Sequence, residues 1–168
     1  MALVPHLGKL CVAQALNTNT TDISDYVIDL SAMGIDGPQP ACEMYLDIET
    51  VVAPAAGGTA DSYTLELVLD DTEACSSVVY RVLTIIMLHG DPRLALGAKI
   101  WSGQLPGDQI RMLARATTTP GYRYMALIST LADSGGTTGL TINASVNLGR
   151  PQTAHDVQVM TSNVSVPS

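Results

Sequence analysis

The sequence predicts an all-β domain, a sandwich or barrel of seven or eight short strands. Apolar and polar residues alternate with period two in several segments, Gly, Pro, Asp and Asn punctuate them, and no long amphipathic helix competes. At 168 residues the chain suits one domain, able to bury roughly 70% of its extended surface in a single core.

The elements follow in order. Up to residue 25 the chain carries Leu3, Val4, Leu7, Leu10 and Val12 among Thr and Asn, which reads as an extended, apolar N-terminal arm. "YVIDL" at Tyr26–Leu30 is a short strand candidate. In Glu43–Val52, Met44, Leu46, Ile48 and Val52 share one side, and Tyr45, Asp47 and Glu49 the other. The small-residue loop "APAAGGTADS" leads to "SYTLELVLD", with Tyr63, Leu65, Leu67 and Leu69 facing in and Thr64, Glu66 and Asp70 facing out.

Val78–Met87 is rich in β-branched residues and reads as a buried strand, although so apolar a run also fits a helix. "AKIWS" at Ala98–Ser102 is a short strand. "DQIRMLARATTT" fits either a short helix capped by Asp108, with Ile110, Leu113 and Ala114 inward, or a strand with Ile110, Met112 and Ala114 inward. In "YRYMALISTLA", Tyr122, Tyr124, Ala126 and Ile128 lie opposite Arg123, Met125, Leu127 and Ser129. "LTINASVNL" puts Leu140, Ile142, Ala144, Val146 and Leu148 on one face. The turn "DSGGTTG" between these two predicts a hairpin. Residues 26–149 thus form the sandwich, and 150–168 are a C-terminal extension in which Val157, Val159, Val164 and Val166 alternate with polar residues. Arms of this kind add to the edge of a neighbouring sheet.

Composition narrows the function. Charged residues make up 14% of the chain and the net charge is −8; the usual charged share is about 25%. Such a surface suits burial in an assembly, and its sign repels nucleic acid and anionic membranes. No stretch has the apolar length of a membrane span, and the N-terminal residues lack the order of a signal peptide, so synthesis in a reducing cytoplasm is expected. Cys11, Cys42 and Cys75 have no CxxC spacing and read as free thiols.

Catalytic chemistry has little support. Asp133-Ser134-Gly135-Gly136 resembles the nucleophile segment of serine proteases. A triad also needs a histidine, and His6, His89 and His155 are the choices, with Asp91 near His89. One sandwich cannot supply the two barrels of that architecture, so Ser134 reads as a turn residue. Asp70, Asp71 and Glu73 lack calcium-loop spacing and read as a solvated acidic loop. No catalytic residue, metal or cofactor is expected. Arg111, Arg115 and Arg123 fall close together in an acidic chain. They read as interface donors, with isolated surface arginines as the alternative.

"VAQALNTNTTDISDYVIDL", "LALGAKIWSGQLP" and "YRYMALISTLADSGGTTGLTINASVNLG" together resemble the cement proteins of tailed-phage capsids, of the type found in Bordetella phage. The resemblance runs from about Val12 to Gly149; the segment Gly107–Gly121 is longer than the family's link, and the tail after Arg150 is extra. It implies a jelly-roll-like β-sandwich of about eight strands with extended arms. It also implies a place on the virion exterior, where the protein decorates an icosahedral head, bridges neighbouring major capsid proteins and stabilises the shell. The expected partners are the major capsid protein and a second copy, as a two-fold dimer or else a trimer. The expected interface comprises Leu3, Val4, Leu7, Leu10, Arg111, Arg115, Arg123, Val157 and Val159. A carbohydrate- or receptor-binding module is the alternative, and the scarcity of aromatics, with one Trp and no Phe, weighs against it.

Overall fold

Period-two patterning becomes nine strands in the computed structural model, which describes residues 8–16, 21–32, 43–55, 58–76, 80–115, 121–132 and 139–148. The strands are β1 (Lys9–Leu16), β2 (Thr21–Ile23), β3 (Ile28–Asp29), β4 (Met44–Val52), β5 (Ser62–Asp70), β6 (Tyr80–Leu88), β7 (Lys99–Leu105), β8 (Tyr124–Ala132) and β9 (Leu140–Leu148). A helix, α1 (Gly107–Ala114), follows β7, and a 3-10 turn (Pro92–Leu94) precedes it.

The pairing is nested and antiparallel throughout. β1 pairs with β9, β2 and β3 with β8, β4 with β7, and β5 with β6. Ladders β4–β9 and β5–β8 then join the pairs into two sheets, ordered β1-β9-β4-β7 and β2-β8-β5-β6. With β2 and β3 counted as one interrupted strand, this is an eight-stranded ribbon rolled upon itself, the jelly-roll arrangement. The expected β-sandwich is therefore the observed fold.

The inward rows are those the alternation marks. Met44, Leu46 and Ile48 face Tyr63, Leu65, Leu67 and Leu69 across the sandwich, with Ile142, Ala144, Val146, Met125, Leu127 and Leu131 completing a continuous core. Ser129 is a polar member of the inward row of β8, 2% exposed, and its hydroxyl has no hydrogen-bond partner in the structure. A buried, unsatisfied hydroxyl is costly. Ser129→Ala should therefore raise stability by about 1 kcal/mol, read as a higher urea midpoint; a lower midpoint would mean that the hydroxyl is satisfied in solution.

Several expectations need correction. Residues 9–16 and 21–23, placed in the arm, are strands of the two sheets, because Leu10, Cys11, Gln14 and Leu16 supply a face to bury. Gln14 secures the passage between sheets: its amide donates to the carbonyl of Ile23 and accepts from the N–H of Asp25, both at 2.8 Å. Val52 is 53% exposed, because the β4–β9 register shifts between Thr50 and Val52 and sets Val52 opposite Thr141 instead of in the inward row. Asp70 is buried: its Oδ1 accepts from the N–H groups of Asp71 and Thr72, which turns the following loop back over the sheet. That loop packs Cys75 on Val68 and Ala126 in a small second core, where burial pushes the Cys75 thiol up to about 11. Burial likewise pushes Cys11 up to about 12; Cys42 lies outside the described residues.

The run read as a buried strand is an edge strand. Among the described residues β6 pairs with β5 alone; its inward Ile85 and Met87 reach the core, while Ile86 and Leu88 on its outer face are 60% and 63% exposed. Nor do β8 and β9 form a hairpin. They lie in different sheets; Ser134 itself falls outside the described residues. The ambiguous segment is helical. Its N-cap is Pro106, with no side-chain cap bond, and Asp108 stands inside the first turn, where an acid favours the positive helix end.

Candidate assembly surfaces

The sandwich has two unlike ends. At one, β7 leaves sheet β1-β9-β4-β7 through Leu105, and α1 crosses over to Tyr124 at the start of β8. α1 buries Ile110 and half-buries Leu113 and Ala114 against the core, which leaves Met112 66% exposed. Gln109 donates to the hydroxyl of Tyr80 at 2.6 Å, and the Tyr80 and Tyr122 rings meet at 5.8 Å. Leu148, at the close of β9, is 49% exposed at the same end.

The three arginines gather here, though two are engaged within the protein. Arg123 forms a two-pronged pair with Asp29 on β3, with Nε 2.8 Å from Oδ1, and its guanidinium lies 5.3 Å from the centre of the Tyr124 ring. Arg111 reaches Asp108 at 3.4 Å one turn back. Arg115 is the C-cap of α1, and its side chain is exposed. Leu10, expected at an interface, is fully buried in β1 and cannot anchor a partner. Leu3, Val4, Leu7, Val157 and Val159 lie outside the described residues.

The Arg123 side chain, through its hydrogen bond, holds the Asp29 carboxyl below its usual range. The Arg93 side chain does the same for Asp91. A depressed carboxyl stabilises the fold fully above the unfolded value, near pH 4, and loses that contribution as pH falls through the folded value. Melting temperature should therefore fall as pH drops below about 4, and Asp29→Asn should flatten that decline. An unchanged profile in the variant would mean that the pair adds nothing.

At the opposite end, a cavity of ≈ 300 Å³ opens between the two sheets, walled by Ala53, Pro54, Tyr63, Pro92, Leu94 and Ala95 with His89 at its side. The 3-10 turn holds this end together. Thr50, buried on β4, donates from its hydroxyl to the carbonyl of Arg93 at 2.8 Å, and its N–H donates to Ala98. Arg93 in turn donates to the Ile86 carbonyl at 3.0 Å, covering that part of the β6 edge. Asp91, the carboxylate nearest His89 in sequence, accepts from the backbone and guanidinium of Arg93 and so caps the turn.

Val52, Ile86, Leu88 and Leu96 are strongly exposed, Leu96 at 74%, although none of the four lines the cavity. Val52, Leu88 and Leu96 each stand next in the chain to a residue of the cavity wall. The sequence carried a partial sign of these exposed residues, since the apolar run through Ile86 and Leu88 exceeds what one buried face requires. Leu96 had no such signal. On the outer face of β4, Lys99 bridges Asp47 and Glu49 at 2.8 Å each, which offsets part of the charge of that acidic row. Among the described residues no three His, Cys, Asp or Glu side chains are grouped to hold a metal ion.

No family model matches this chain, and no curated protein matches it significantly. The surfaces themselves are thus the guide to function.

Proposed function

We propose that this protein is a capsid cement protein that binds the outside of an icosahedral phage head, bridges neighbouring major capsid proteins and stabilises the shell. The observation that supports this reading is that large apolar side chains are exposed toward both ends of one sandwich: Met112 and Leu148 at one, Val52, Leu88 and Leu96 at the other. A bridge needs two contact regions, and a low-charge surface with paired ions suits their burial. Methionine and arginine, enriched at the helix end, are interface residues by type. Binding only to the assembled shell shifts the balance toward assembly by mass action.

Quantitative mass spectrometry of purified virions tests this. A ratio to the major capsid protein near one, or a simple fraction of it, is expected. Absence from the particle, or only a few copies, would overturn a shell-wide role and return attention to a receptor- or carbohydrate-binding module.

A further inference from the structure

We infer that a second cavity, on the outer face of sheet β1-β9-β4-β7, binds a neutral sugar ring through its hydroxyl groups. This adds a binding activity to the shell reading and stands without it.

The register places the groups on one surface. Lys9, Ser145 and Asp47 lie side by side across β1, β9 and β4. In the next outward row Asn143, Glu49 and Lys99 lie side by side across β9, β4 and β7. The cavity, ≈ 300 Å³, is walled by Lys9, Val12, Asp47, Glu49, Asn143 and Ser145. Its β1 wall is an irregular stretch of strand. The β1–β9 register shifts between Lys9 and Cys11 and again between Cys11 and Gln14, and Ala13 stands in the left-handed region at φ +48°. The Ala13 N–H donates to Asn143 Oδ1 at 2.7 Å, which ties this stretch to β9. Bulges of this kind re-aim side chains, and Val12 is left 42% exposed at the rim.

Charge argues against an ionic ligand. Lys99 Nζ donates to Asp47 Oδ2 and to Glu49 Oε2, at 2.8 Å each, and Lys9 stands across Ser145 from Asp47. Two carboxylates and two ammonium groups balance, so neither an anion nor a further cation gains a net attraction. What remains is hydrogen-bonding capacity of both kinds. Asp47 Oδ1 and Glu49 Oε1 accept, Asn143 Nδ2 and Lys9 Nζ donate, and the Ser145 hydroxyl does either. Neighbouring hydroxyls on a sugar ring each donate and accept, and bonds to charged partners are the stronger ones. A cavity at the small end of ligand sites, which begin at about 300 Å³, takes one ring. Scarcity of aromatics weighs against recognition by stacking, but this cavity recognises hydroxyls and requires no aromatic wall. Tyr45 stands on the same face one outward position along β4, about 7 Å away, and gives a following ring an apolar surface.

Titration of the full chain with methyl glucoside, methyl mannoside and methyl galactoside, followed by NMR, tests the site. At least one of them is expected to shift the amide signals of Ala13, Asn143 and Ser145, with a dissociation constant on the order of 1 mM. Ser145→Leu fills the cavity from an outward position, leaves the Lys99 bridges in place and should abolish the shifts. Glu49→Gln keeps the shape, removes a charged acceptor and should weaken binding about tenfold. Circular dichroism checks both folds. The inference is overturned if none of the three glycosides shifts these signals at about 50 mM, if the shifts map to another surface, or if Ser145→Leu binds like the parent. Tighter binding of glucosamine or glucuronate, which carry a charge, would make this an ion site and also overturn it. Virion stoichiometry plays no part in this test, so failure here and failure of the shell reading are distinguishable.

Discussion

Leu65→Ala is expected to destabilise the protein by about 3–5 kcal/mol, near the top of the range for a core truncation. Leu65 is fully buried on β5, which has ladders on both sides, with Ile85 paired on one and Ser129 on the other. Two features keep the resulting cavity from collapsing. The strand cannot shift toward either neighbour, because its ladders run the length of β5 on both sides. Ser129, directly opposite on β8, is too small to fill the space. A fall in melting temperature on the order of 10 °C is expected for a chain of this size. A loss under about 1 kcal/mol would mean that the two sheets approach each other to close the gap.

Gly8→Ala should cost about 2–3 kcal/mol, more than an exposed Gly-to-Ala change elsewhere. Gly8 has φ +86°, a conformation that L side chains adopt with strain, and an added Cβ would run into the carbonyl oxygen of Val146. That oxygen is backbone of β9, held between β1 and β4, and cannot move aside. The clash also threatens the bond from the Val146 N–H to the Gly8 carbonyl, 2.6 Å long. Gly97, with φ +75° and open space around its Cβ position, is the control. Gly97→Ala should lose only the conformational part, about 1 kcal/mol. Equal losses in urea unfolding of the two variants would show that strain, and not the contact with Val146, governs position 8.

The rows on β4, β5 and β9 were legible in the sequence because each strand buries one face, and burial of one face writes itself as alternation. Where that condition fails, so does legibility. β6 is apolar on both faces and therefore reads as interior, yet hydrophobicity reports what surface a residue prefers and not how many strands flank it. Asp70 alternates outward as polar residues do, and what covers it is a loop turned by its own carboxylate. The "DSGGTTG" stretch carries turn chemistry, but turn residues do not say whether the next strand returns to the same sheet or crosses to the other. The candidate site was legible only in outline. Arg111 and Arg123 mark the helix end correctly, while their partners Asp108 and Asp29 are near in space for one and distant in sequence for the other. The exposed apolar residues toward the cavity end come from β4, β6 and the link to β7, and no local pattern connects them.

The nested strand order also sets a timetable for synthesis. β8 and β9 are made after all the other strands described, yet each sits in the interior of its sheet. Before β8 leaves the ribosome, the described strands can form only the pairs β5–β6 and β4–β7, while β1, β2 and β3 wait for neighbours that do not yet exist. Each sheet then closes by inserting a late strand between two earlier ones, a non-local step of the kind that slows β-sandwich folding to milliseconds or seconds. During that interval the inward rows of β1, β4 and β5 face water, and a nascent chain stalled between β7 and β9 would be the species most prone to aggregate.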